Sequence, residues 1–165
     1  MPVQVIDVRA TSAAPPAAVW RLLSDSSTWP SWTPIDEHRA ERSARADGTG
    51  EIRVFRNGRY RVREEIVEFR PVRRLSYALL DGLPLRDYRA DIDLTERPDG
   101  GTDVRWHTRF RPRVPGTGAL FRRPLHRATQ EFVAGLGDWR LVAIAIALGW
   151  SWAALVAHRL RSAVV

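Results

Sequence analysis

Between residues 36 and 112 the chain is cut at near-regular intervals by turn signals: Asp47-Gly48, Asn57-Gly58, Arg70-Pro71, Asp81-Gly82 and Asp99-Gly100-Gly101. Glycine supplies a positive φ and proline fixes its own, while each segment between them has strand length. This restricts the region to an antiparallel meander of about six strands. Two strands alternate cleanly. In one, Tyr88, Ala90, Ile92 and Leu94 oppose Asp87, Arg89, Asp91 and Asp93; in the last, Thr102, Val104, Trp106, Thr108 and Phe110 oppose Asp103, Arg105, His107, Arg109 and Arg111. One face of the sheet is therefore covered and the other wet.

The flanking segments supply the cover. A short strand through Val3, Val5 and Val8 stops at the turn from Thr11 to Pro16. Pro15 and Pro16 suit the first turn of a helix, where a missing N–H costs nothing, and Val19, Trp20, Leu22 and Leu23 give it an apolar stripe. Trp29-Pro30-Ser31-Trp32 reads as a second short helical turn. After Pro112 to Gly118, Phe121, Leu125, Ala128, Thr129, Phe132 and Leu136 recur at spacings of three and four, predicting a long helix laid across the sheet. Pro124 either occupies its first turn or kinks a longer helix.

Length and composition exclude several classes. The chain has 165 residues and 18.7 kDa, enough for a single domain with a core or a cavity. With no cysteine, disulfides, cysteine-ligated zinc, iron–sulfur clusters and thiol nucleophiles are excluded. The net charge of +7 rests on 26 basic residues, all arginine. Most alternate with acids, as in Arg61-Val-Arg-Glu-Glu65, which predicts a solvated mixed-charge surface and no nucleic-acid partner, with a weak anionic-membrane patch as the alternative. The N-terminus lacks the pattern of a secretory signal, so an intracellular, cytoplasmic domain is expected.

Four local strings carry a resemblance: Pro16-Ala-Ala-Val-Trp20-Arg-Leu-Leu23, Trp29-Pro-Ser-Trp32, Glu68-Phe-Arg-Pro71-Val-Arg-Arg-Leu75-Ser-Tyr77 and Gly101-Thr-Asp-Val-Arg-Trp-His-Thr108. In this order and spacing, across residues 3 to 138, the chain resembles the START/Bet v 1-like (SRPBCC) superfamily, in particular its bacterial polyketide cyclase/dehydrase and lipid-transport-like branch. The resemblance implies an α+β helix-grip fold over residues 1–138: a seven-stranded curved antiparallel sheet around a long C-terminal helix, with two short helices after the first strand. It also implies a cavity between sheet and helix for an apolar or amphipathic small molecule. It does not imply one reaction, because the superfamily includes carriers, cyclases and hydrolases.

The candidate lining of that cavity is Tyr60, Tyr77, Tyr88, Trp106, Thr108 and Phe110 from the sheet, closed by Phe121, Leu125 and Phe132 from the helix. Tyr88, Trp106 and Phe132 are preferred, since large aromatics pack and Tyr and Trp keep a polar edge. The competing reading is that these rings fill the core. Glu64 shares strand parity with Tyr60 and Val62; if it points inward, its carboxyl has a raised pKa and serves as an acid or base, with Tyr88 as a second proton carrier. The change of parity between the Glu64-Glu65 pair and Val67 and Phe69 predicts a bulge. The four histidines have no metal-ligand spacing, no nucleophile motif occurs, and Gly116-Thr-Gly118 lacks the residues of a phosphate cradle. No metal and no cofactor are expected.

Residues 141–157 carry no charge and, as a helix, would measure about 26 Å, near the lower limit for crossing a bilayer. Arg140 and His158-Arg159 bracket the run, yet Trp150 and Trp152 fall inside it and not at its edges. A hydrophobic extension over residues 139–165 is expected, either touching a membrane, on its inner face, or packing in a homodimer. Function is expected to be binding of a small hydrophobic or lipid-like ligand, with a cyclase/dehydrase-type enzyme as the alternative and a regulatory protein with a collapsed cavity as a third.

Overall fold

The computed structural model describes residues 2–137. The extension from residue 139 and its apolar run at 141–157 lie outside the described residues. The elements run β1 (Gln4–Ser12), α1 (Pro16–Ser24), a short 3-10 helix (Ser26–Ser31), β2 (Glu37–Arg42), β3 (Ile52–Asn57), β4 (Tyr60–Arg70), β5 (Arg74–Asp81), β6 (Leu85–Glu96), β7 (Thr102–Pro112) and α2 (Gly118–Gly137). One antiparallel sheet holds all seven strands in the order β1-β7-β6-β5-β4-β3-β2. The chain starts at one edge, crosses to the other through the two short helices, and returns as the predicted meander. All five turn signals lie at junctions of consecutive strands, three of them beginning on a strand's last residue, Asn57, Arg70 and Asp81.

Bulges curve this sheet. The β4–β5 register shifts between Arg63 and Glu64 and again between Ile66 and Glu68, and β6 shifts against β7 between Arg86 and Arg89. The second shift leaves Val67 unpaired, so Glu64 and Ile66 point to the concave face before it and Phe69 after it. That is the predicted change of parity. The concave face carries Ile92, Leu94, Val104, Trp106 and Phe110, all buried, while the convex face carries the charges.

α2 grips the sheet along β1 and β7. Thr129, Val133 and Leu136 are buried, whereas Phe121 and Leu125, a turn or two earlier, are only partly so. At Gly135 the helix backbone runs directly against the carbonyl of Trp32, where any Cβ would collide. Ser12 Oγ donates to Leu136 O at 3.3 Å, tying β1 to the end of α2. Pro124 lies inside α2 and not in its first turn, so the carbonyl of Leu120 lacks its intrahelical donor. The exposed β2 edge, Glu-His-Arg-Ala-Glu-Arg, is mostly charged, which discourages pairing with another strand.

Candidate functional site

A charge sits where strand alternation would place an apolar side chain. On β3, Arg53 shares a face with Phe55 and points into the core, with 0% of its surface exposed. The β3–β4 hairpin turns at Gly58 and Arg59, Gly58 having φ 55°, and this register sets Arg53 opposite Glu64. Glu64 is 8% exposed, and its Oε2 accepts from Arg53 Nε at 3.2 Å and lies 3.1 Å from Arg53 Nη2. Arg53 Nη1 donates to Ser26 Oγ at 3.2 Å. The guanidinium carbon lies 4.1 Å from the Trp29 ring centre, 4.8 Å from that of Tyr77 and 4.9 Å from that of Phe55, so three aromatic faces supply the rest of its solvation.

Neighbouring strands add hydroxyls. Tyr77 on β5 and Tyr88 on β6 stand with ring centres 6.3 Å apart, and Thr108 lies on β7. Thr108 Oγ1 is buried without a hydrogen-bond partner, and Arg53 Nη2 has the Glu64 carboxylate as its ion-pair partner. Burial pushes the Glu64 carboxyl above the usual carboxylate range, opposed by the Arg53 cation. Burial also raises Tyr77 and Tyr88, and the nearby Glu64 charge raises both further. The two phenols therefore stay protonated at neutral pH and act as hydrogen-bond donors. The group can hold an oxygen atom and exchange one proton through Glu64.

The remaining predicted residues divide. Glu64 and Tyr77 contact Arg53, Tyr88 stands beside Tyr77, and Thr108 lies further along the sheet on β7. Trp106 and Phe132 meet at 5.6 Å in the aromatic core, and Phe110 packs in a second apolar cluster with Ile6 and Leu85, flanked by Phe121 and Leu125. Tyr60 does not join them: at the tip of the β3–β4 hairpin, where no element covers the sheet, it is 56% exposed and its hydroxyl accepts from Arg59 Nη2 at 3.1 Å. The hollow expected between Tyr88, Trp106 and Phe132 is also corrected. Trp29, 1% exposed, fills it, with ring centres 5.2 Å from Phe55, 5.8 Å from Trp106 and 6.3 Å from Phe132. Its Nε1 donates to Leu23 O at 3.2 Å, so the ring is held at its polar end too.

The open space lies elsewhere. A groove of about 1080 Å³ runs past Arg9, Thr11, Val72, Arg74, Leu94 and Arg105 at one end of the sheet. A smaller one, about 420 Å³, is lined by Val3, Ala78, Tyr88, Arg89, Arg109 and Phe110. It lies where the β5–β6 ladder ends at Ala78 and Arg89 although β5 continues to Asp81, so the strands part beside the β6 bulge. Through this split, space outside the sheet reaches Tyr88. Among the described residues, no group of three His, Asp or Glu side chains converges as a metal site.

Arg53 escaped sequence reasoning because a lone arginine in Ile52-Arg-Val-Phe55 looks like one more wet-face charge. The register held the signal. Counting back from the Gly58-Arg59 loop opposes Arg53 to Glu64, whereas a turn centred on Asn57-Gly58 would oppose it to Val62. Trp29 was assigned to a helical turn with no indication that its ring would occupy the centre of the grip.

Comparison with known proteins agrees with this architecture. A family profile described as "Polyketide cyclase / dehydrase and lipid transport" matches residues 4–138. Among solved structures, a Thermobifida fusca protein is 25% identical with TM-score 0.67, covering 82% of this chain and 95% of its own. A START superfamily protein of Mycobacterium smegmatis is 12% identical with TM-score 0.70, covering 81% and 94%. An aromatase/cyclase from a Streptomyces species is 13% identical with TM-score 0.70, covering 85% and 96%. The comparison with curated proteins gives no match. By the extent of the profile match the chain belongs to the polyketide cyclase/dehydrase and lipid-transport family, and its sheet order and gripping helix are those of the START-like fold.

Proposed function

We propose that the protein binds a small, mostly apolar molecule bearing one or more oxygen atoms, with that oxygen set against Tyr88, Thr108 and the Arg53–Glu64 pair. The observation that carries this reading is a buried hydroxyl without a hydrogen-bond partner, Thr108 Oγ1, near protonated phenols and the buried Arg53–Glu64 ion pair in a largely apolar interior. Buried polar atoms without partners are costly, and a bound oxygen function or water relieves them. The split beside Tyr88 supplies a route, and its 420 Å³ suits a small ligand. Half-buried Leu79, Leu83, Phe121 and Leu125 line the neighbouring apolar cluster and can part with little loss of core packing.

A second reading, a cyclase/dehydrase-type enzyme, is favoured by Glu64. A carboxyl held above its usual range can take a proton from carbon next to a carbonyl, and Tyr88 can protonate the alkoxide formed when that carbon closes on a second carbonyl. Native mass spectrometry of the full chain for a retained small molecule, followed by turnover of polyketone-like compounds by wild type and Glu64→Gln, separates the two. A carrier retains a ligand and shows no turnover. An enzyme loses rate on Glu64→Gln while staying folded. Absence of both ligand and turnover, with tryptophan fluorescence indifferent to apolar oxygenated probes, refutes the site.

A further inference from the structure

Two aliphatic side chains stand out on the described surface. Leu120 is 68% exposed and Val114 57%, the highest values among its large hydrophobic residues. They are neighbours in one short stretch: Thr117 Oγ1 donates to Val114 O at 2.8 Å, and Leu120 N donates to Thr117 O at 3.1 Å. The β5–β6 loop abuts this stretch, since Arg113 N donates to Pro84 O at 2.9 Å and Arg113 Nε to Leu85 O at 3.3 Å. Leu83 and Phe121, both partly exposed, pack against the apolar cluster of Ile6, Leu85 and Phe110.

Arginines without a carboxylate partner gather at this end. On the convex face Arg74 pairs with Asp93, Arg89 with Glu68 and Arg105 with Asp7, each at 2.6 Å. At the Val114–Leu120 end, Arg86, Arg113, Arg122 and Arg123 have no carboxylate partner among the described residues. Of the acids nearby, Asp87 pairs with Arg111 at 2.8 Å and Glu131 with Arg127 at 3.2 Å, while Asp81, at the end of β5, forms no ion pair among the described residues. Arg39, Arg61 and Arg109 on the sheet also have no carboxylate partner among the described residues, but at this end four such arginines lie beside the most exposed aliphatic groups.

We propose that this end of the domain, formed by the β5–β6 loop, the β7–α2 loop and the first turns of α2, docks on an anionic lipid bilayer. Val114 and Leu120 enter the boundary between headgroups and acyl chains, while the unpaired guanidinium groups engage lipid phosphates, whose geometry suits their forked donors. Isolated projecting aliphatic side chains with no receiving groove fit a bilayer, which needs no shape complementarity, better than a folded partner. The inference concerns the surface alone and holds whether or not the interior takes a ligand.

The test is flotation of the full chain with vesicles of phosphatidylglycerol and phosphatidylcholine in equal parts, against vesicles of phosphatidylcholine alone. Two variants, V114S/L120S and R122E/R123E, change exposed side chains only, and circular dichroism checks that each remains folded. Wild type should float with the anionic vesicles, and each variant should lower that partition by about tenfold or more. Failure of wild type to float, or equal flotation on neutral vesicles, overturns the proposal. Unchanged flotation of both variants overturns it as well, and assigns binding to the apolar run at 141–157.

Discussion

Replacing Arg53 by methionine should destabilise the domain far more than replacing both members of its ion pair. Methionine keeps the length and apolar stem of arginine and removes its charge, leaving the Glu64 carboxylate, 8% exposed, without a counter-ion. Breaking one side of a buried pair costs about 3–5 kcal/mol, mainly because the surviving charge is stranded. R53M/E64Q strands nothing and should lie within about 2 kcal/mol of wild type, the residue being lost hydrogen bonds and the lost cation–aromatic contacts. The cost is also pH-dependent with a fixed sign. Burial already holds Glu64 above its ordinary value, and Arg53 is the group opposing that rise, so R53M raises it further. A carboxyl whose folded pKa exceeds its unfolded one favours the fold below the unfolded value and loses that contribution as pH rises through the folded one. The R53M deficit should therefore be largest at alkaline pH and shrink by about 1.4 kcal/mol per unit as the pH falls from the folded pKa toward the unfolded one. Urea unfolding followed by near-ultraviolet circular dichroism at both ends of that range measures it. Equal destabilisation of R53M and the double variant, or a single-variant cost below about 1 kcal/mol, refutes a coupled buried pair.

Gly135→Ala, a change that ordinarily favours a helix by about 1 kcal/mol, should instead destabilise this one by about 1–3 kcal/mol, because the new methyl meets the Trp32 carbonyl; a raised thermal midpoint would show that α2 and the 3-10 helix are not in contact there. His38, whose Nε2 is buried without a partner, is held below its ordinary 6.5 chiefly by burial. Its unfolded form binds the proton more readily, so stability should fall as pH drops below about 6.5, and His38→Phe should flatten that acid limb. Identical acid limbs for the two proteins would remove His38 from the balance.

The meander was legible because turn chemistry and strand parity are local properties. The five signals from Asp47-Gly48 to Asp99-Gly100-Gly101 mark hairpins whatever the rest of the chain does, and the alternation of Thr102, Val104, Trp106, Thr108 and Phe110 requires one covered face. Tyr60 obeys the same alternation and is exposed all the same, because parity gives the side of a sheet and not whether anything covers it. Pro124 left its place open, since a helix tolerates the lost bond when the freed Leu120 carbonyl lies on an exposed turn.

By itself, then, the sequence marked the strands of the meander, the bulge after Glu64 and the shared face of Tyr88, Trp106, Thr108 and Phe110, while it left the direction of Glu64 open. Tertiary structure decided what occupies the centre of the grip and what neutralises Glu64. Both depend on contacts between residues far apart in the chain: Trp29 from a helical turn filling the space above Trp106 and Phe132, and Ser26 and Arg53 converging from that turn and from β3. Packing of this kind is fixed by volume and by pairing register across elements, and a shift of one residue in a single hairpin exchanges Arg53 for another partner.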